Sequence, residues 1–131
     1  MKFVKQAEER YTVVKLLEEK LDTRISPQLK SEFINLNTLG VRNMILNLED
    51  VKYVDSSGLS SILTANRICN SANGMLVLCH LNDHVTKLIS ISHLDNVLNI
   101  LPTEAESRDA ILMKELEREI MDGGIGEGDN D

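Results

Sequence analysis

A chain of 131 residues, 42% apolar and 27% charged, has the make-up of one globular domain with a single core, and two domains would be crowded in it. A formal charge of −7, with two Phe, two Tyr and no Trp, repels phosphate backbones and offers few rings for base stacking, which argues against nucleic-acid binding. No run of about 18 apolar residues would span a bilayer, and Met1-Lys2-Phe3-Val4-Lys5-Gln6 lacks the apolar stretch of a signal peptide, so a cytoplasmic protein with no membrane contact is expected.

In chain order, Phe3-Val4 and then Tyr11 to Leu17, with Val13, Val14, Leu16 and Leu17, predict two adjacent strands. Ser26-Pro27 predicts a helix with Ser26 as its N-cap, carrying Leu29, Phe33, Leu36 and Leu39 at helical spacing and closed by Gly40. Met44 to Leu48 is nearly continuous apolar, the pattern of a central strand covered on both faces. Asp55-Ser56 offers capping side chains to a second helix with a stripe of Leu59, Ile62, Leu63, Ala65, Ile68, Cys69 and Ala72, ended by Asn73-Gly74. Met75 to Leu81 predicts another buried strand, Asn82-Asp83 caps a third helix with Val85, Leu88 and Ile89 inward, and a short strand follows around Val97 to Leu101. Thr103 and Glu106 form a capping box for a last helix with Leu112, Leu116 and Ile120 on its inner face and Lys114, Glu115, Glu117, Arg118 and Glu119 on its solvated side. From Asp122 to Asp131 the chain is glycine and acid, which predicts a disordered tail after a domain of residues 1–121. Strands alternating with helices predict an α/β fold with a mainly parallel or mixed sheet.

The chemistry concentrates at Val54-Asp55-Ser56-Ser57-Gly58-Leu59, a strand-to-helix turn of the kind that carries sites in α/β proteins. With Ser56 as N-cap, Ser57 lies in the first turn of the helix, where unpaired N–H groups and the positive end of the dipole favour an anion. Its hydroxyl is expected to point toward solvent, and Gly58, lacking a side chain, would let another protein approach it. The bland alternative is that Asp-Ser-Ser-Gly is helix-capping chemistry and nothing more.

This turn resembles the signature of the STAS domain of anti-sigma factor antagonists, in which the second serine of Asp-Ser-Ser-Gly is phosphorylated by a cognate anti-sigma factor kinase. Leu21-Asp22 is similar to the family's Leu-Asp element, and the order of elements matches the STAS fold from about Tyr11 to Met121. The resemblance implies one domain with a mixed sheet of about four to five strands and four helices. It also implies Ser57 as phosphoacceptor, with Asp22, Thr23, Asp55, Ser56, Gly58 and Leu59 meeting the partner. Two departures from the pattern are Ser60-Ser61 after Gly58-Leu59, and Lys20 where a glutamate often precedes the Leu-Asp pair.

A serine of ordinary pKa needs nucleotide, metal and a positioned base supplied to it, and the chain carries neither GxxxxGK[ST] nor GxGxxG. No cofactor and no enzymatic activity of its own are therefore expected. The implied partners are a kinase of the GHKL type, which brings the nucleotide, and a PP2C-type phosphatase that resets the protein. A STAS scaffold in a stress-signalling or lipid-transport assembly is the rival reading. A GxSxG nucleophile elbow is absent, because Asp55 stands at the first glycine's place. His80 and His84 are four apart, but Asn82-Asp83 between them reads as a loop and cap, which spoils a common metal-binding face, and His93 has no evident partner. Cys69 and Cys79 form no CxxC pair and read as core, and the dispersed Met residues read as core fillers.

Overall fold

The computed structural model describes residues 1–122. Two strands open the chain, β1 (Phe3–Ala7) and β2 (Thr12–Leu16), paired antiparallel with Phe3 opposite Leu16 and Ala7 opposite Thr12. A two-residue strand β3 (Lys20–Leu21) leads into α1 (Ser26–Thr38), and β4 (Met44–Asn47) follows. A second two-residue strand, β5 (Tyr53–Val54), runs directly into α2 (Ser56–Ser71). The remaining elements are β6 (Leu76–Cys79), α3 (Asp83–Ile91), β7 (Asn99–Leu101) and α4 (Glu104–Met121).

The main sheet has five strands in the order β1-β2-β4-β6-β7, parallel except for the β1-β2 hairpin, so β4 is central as its apolar run requires. Alternate residues of its strands face two cores. Val14, Leu16, Met44, Leu46, Leu76 and Leu78 pack against Leu29, Phe33 and Leu36 of α1, Leu59, Ile62, Ala65 and Cys69 of α2, and Val85 and Ile89 of α3. The opposite face carries Val13, Ile45, Val77 and Cys79, covered by Ile111 of α4. Three helices thus lie on one side of the sheet and one on the other. Both cysteines are free and buried, and burial pushes the Cys69 thiol up to about 12 and the Cys79 thiol to about 11.

Several local expectations shift. Ser26 is the first residue of α1 and not its cap; Ile25, whose side chain has no polar atom, stands at the cap, and the Ser26 hydroxyl is turned back to the Asp22 carbonyl. Leu39 is exposed as the last, C-capping residue, and Gly40 takes φ +95 so that Gly40 and Val41 N–H groups close the helix on Asn37 and Leu36. At the ends of α2 and α3 the left-handed position falls to Asn73 and His93. Thr103 caps α4 as expected, but its hydroxyl donates to the Glu106 carboxylate, which does not turn back to the Thr103 N–H.

The largest difference is the rotation of α4. Its inward residues are Ser107, Ile111 and Glu115, whereas Leu112, Leu116 and Ile120, expected on the core face, are exposed together with Met113 and Met121. Polar groups at the two ends of the central strand β4 explain it. Glu115 Oε2 accepts from Asn43 Nδ2 (2.9 Å) and Arg42 Nε (3.1 Å), Oε1 accepts from Arg42 Nη2 (2.5 Å), and Asn47 Nδ2 donates to Glu104 (2.6 Å). Among the described residues no helix is long and apolar enough to cross a membrane. Of the expected tail, only Asp122, the residue after α4, is described; residues 123–131 lie outside the described part of the chain.

Candidate functional site

The short pair β3-β5 builds the site. Neither strand is long enough to show a periodicity, yet their parallel register sets Leu21 beside Val54 and so brings the loop after Leu21 against the turn after Val54. The Asp55 N–H donates to the Leu21 carbonyl (3.1 Å), which fixes the turn from below. Gly58 completes the joint. A Cβ on it would stand 2.4 Å from the Leu21 oxygen and 2.9 Å from Val54 Cγ1, so a residue without a side chain is what lets the start of α2 lie on β3.

Asp55, one residue earlier than expected, is the N-cap of α2. Its Oδ1 accepts from the Gly58 N–H (2.9 Å) and from the Ser57 hydroxyl (2.7 Å). The Ser57 and Gly58 hydrogen bonds, with smaller help from the Ser57 and Thr23 backbone N–H groups, hold the Asp55 carboxyl below its ordinary value despite partial desolvation. Asp55 is consequently a firm acceptor and a poor proton sink.

Ser57 is half-buried, turned neither fully outward nor into the core. Its Oγ lies 2.7 Å from Asp55 Oδ1 and 3.0 Å from the hydroxyl of Ser26, at the first residue of α1. Ser56, its neighbour, is exposed. The expectation of a hydroxyl pointing freely to solvent therefore gives way to one oriented by two polar neighbours at an accessible turn.

The other expected residues divide. Thr23 is exposed and Asp22 partly so, and both sit in the loop held to the turn by β3-β5. The Asp22 carboxylate engages Arg24, with Oδ1 accepting from the Arg24 N–H (3.1 Å) and Nε (3.1 Å), so it is part-neutralised. Gly58 and Leu59 are buried: they seat the turn, and they offer a partner no side-chain surface. Of the departures noted, Ser61 is buried and donates to the Gly58 carbonyl (2.6 Å), whereas Ser60 and Lys20 are exposed. Arg24 went unremarked in the sequence, and Ser26 was read only as a helix cap and not as a neighbour of Ser57; the only signal for either here was its place within four residues of Asp22.

Near the same end of the sheet, the exposed ring of Tyr53 stacks on His84 of α3 with centroids 6.0 Å apart. His80 lies outside α3 with a left-handed backbone (φ 57), so the two histidines share no helical face.

The family model for the STAS domain matches residues 3–107. BtrV of Bordetella bronchiseptica, named as an anti-sigma factor antagonist, is 35% identical over 83 residues, spanning 63% of this chain and 68% of that protein. A solved anti-sigma factor antagonist of Thermotoga maritima superposes with a TM-score of 0.74 at 26% identity over 83% of this chain and 93% of its own. The Bacillus protein SpoIIAA, solved in its phosphorylated form, shares the fold with a TM-score of 0.66 at 24% identity, over 84% and 99% of the two chains. With its sheet order, its Asp-Ser-Ser-Gly cap and a family match over most of its length, the chain belongs to the STAS domain proteins of the anti-sigma factor antagonist family.

Proposed function

We infer that the protein is an anti-sigma factor antagonist of the partner-switching kind. With Ser57 unmodified it binds a cognate anti-sigma factor of the GHKL serine-kinase type and so frees a sigma factor. Phosphorylation of Ser57 ends the binding, and a PP2C-type phosphatase restores it. The work takes place in the cytoplasm, and the chain acts as substrate and switch without an activity of its own.

The observation that carries this reading is the Ser57 hydroxyl, oriented by Asp55 on an accessible helix start beside the exposed Ser56 and Thr23. That a protein of the same fold exists in a phosphorylated form is consistent with it. In the transfer, Ser57 Oγ attacks the terminal phosphorus of the kinase-bound nucleoside triphosphate. The new O–P bond forms as the bond to the diphosphate leaving group breaks, and the hydroxyl proton leaves to the kinase base. Asp55, held ionised, orients the hydroxyl during this step.

Once the phosphate is in place Ser57 has no proton to give, and the bond to Asp55 is lost. About −1.5 to −2 charges then stand next to a carboxylate, which the N-terminus of α2 and Arg24 offset only in part. The added negative charge beside Asp55 weakens docking. Incubation of the full chain with its kinase, ATP and Mg²⁺, followed by peptide mass mapping, should place one phosphate on Ser57 and none in the Ser57→Ala variant. A phosphate on Ser56, or on no serine of the turn, would contradict the assignment.

A further inference from the structure

Around the acceptor, three hydrogen-bonding contacts compete for two protons. Ser57 Oγ lies 2.7 Å from Asp55 Oδ1, the two hydroxyls of Ser26 and Ser57 lie 3.0 Å apart, and Ser26 Oγ lies 2.7 Å from the Asp22 carbonyl oxygen. An ionised carboxylate only accepts, so the Ser57 proton is committed to Asp55, and in its contact with Ser26 the Ser57 oxygen is the acceptor. The single proton of Ser26 therefore has two destinations, the Asp22 carbonyl and Ser57 Oγ.

We propose that Ser26 is a positioning residue for Ser57, whose hydroxyl turns from the Asp22 carbonyl to the oxygen at position 57 when that oxygen gains negative charge. The move is cheap, because the Asp22 carbonyl keeps the backbone N–H groups of Ile25 (3.1 Å) and Ser26 (2.8 Å) when the hydroxyl leaves. It is also well placed, since Ser26 is 3% exposed and anchored at the start of α1, so its hydroxyl reaches position 57 without ordering a mobile side chain. Asp55 cannot play this part, because a carboxylate repels the charge that Ser26 would stabilise. The proposal rests on Ser57 as the phosphoacceptor and adds to it the neutral donor that steadies the Ser57 oxygen as its proton departs.

The hydrogen bond can be tested without a kinase, so a failure here is distinguishable from a failure of the phosphorylation reading. In the full chain, Ser57→Cys places a thiol at the acceptor position, and alkylation by iodoacetamide against pH reports its ionisation. Cys69 and Cys79, buried and with thiols raised to about 12 and about 11, stay silent in this assay. Adding Ser26→Ala removes the donor while leaving Asp55 in place. The alkylation midpoint is then expected to rise by about half to one pH unit, with alkylation about three- to tenfold slower below the midpoint. Ser26→Thr, which keeps a hydroxyl, should retain the profile of the parent Ser57→Cys protein. Superimposable profiles with and without the Ser26 hydroxyl would overturn the proposal, as would alanine and threonine acting alike.

Discussion

Gly58 joins two segments that the sequence separates by more than thirty residues. Its hydrogen faces the Leu21 carbonyl at a spacing that leaves no room for a methyl group, so the residue holds the Ser57 turn against the first loop. Gly40 serves a different need: it has open space around it, but its φ of +95 strains any other residue. Gly58→Ala should cost about 2–3 kcal/mol by urea denaturation, since backbone must shift, whereas Gly40→Ala should cost only about 1 kcal/mol. Equal losses would show that the Leu21 contact does not constrain the turn. The Asp-Ser-Ser-Gly turn was legible at residues 55–58, but the purpose of Gly58 was not. A sequence shows that a residue is small and does not show what lies against it. For the same reason Ser26 was read as a cap alone, as its partner Ser57 stands on another helix.

The element that sequence periodicity misplaced is α4. Leu112, Leu116 and Ile120 have the spacing of a core stripe, and a helix chosen by apolar burial alone would turn them inward. Instead the helix is rotated so that Glu115, 3% exposed, meets Arg42 and Asn43 at the end of the sheet, with Ile111 one turn away in the apolar layer. Burial raises the Glu115 pKa, but the Arg42 and Asn43 hydrogen bonds and the nearby Arg42 and Arg118 charges outweigh it and hold the carboxyl below its ordinary value. A group lowered in this way adds stability that is complete above the ordinary carboxylate range and lost as pH falls through its folded value. Glu115→Gln should therefore flatten the acid limb of the stability curve below about pH 5. Glu115→Ala, which strands the Asn43 amide and Arg42, should cost about 2 kcal/mol at neutral pH. An unchanged denaturation midpoint across both variants would mean that the cluster does not fix α4. The strands, α2 and α3 were legible because period and caps agree there, as with Asn82 accepting from the Val85 N–H. The pair β3-β5 was not, since two residues carry no period, and it is this pair that assembles the site.

At the scale of the whole molecule, the five-stranded sheet carries α1, α2 and α3 on one face and leaves the starts of α1 and α2 side by side, where Ser26 and Ser57 meet. The family match extends over residues 3–107 and includes the whole of that assembly. On the proposed function, charge at Ser57 decides whether the anti-sigma factor is held. Calorimetric titration of the cognate anti-sigma factor against the unmodified chain and the Ser57→Asp variant measures it directly. Affinity at least tenfold weaker for the variant, about 1.4 kcal/mol, is the predicted result, and equal affinity for the two forms would contradict the account.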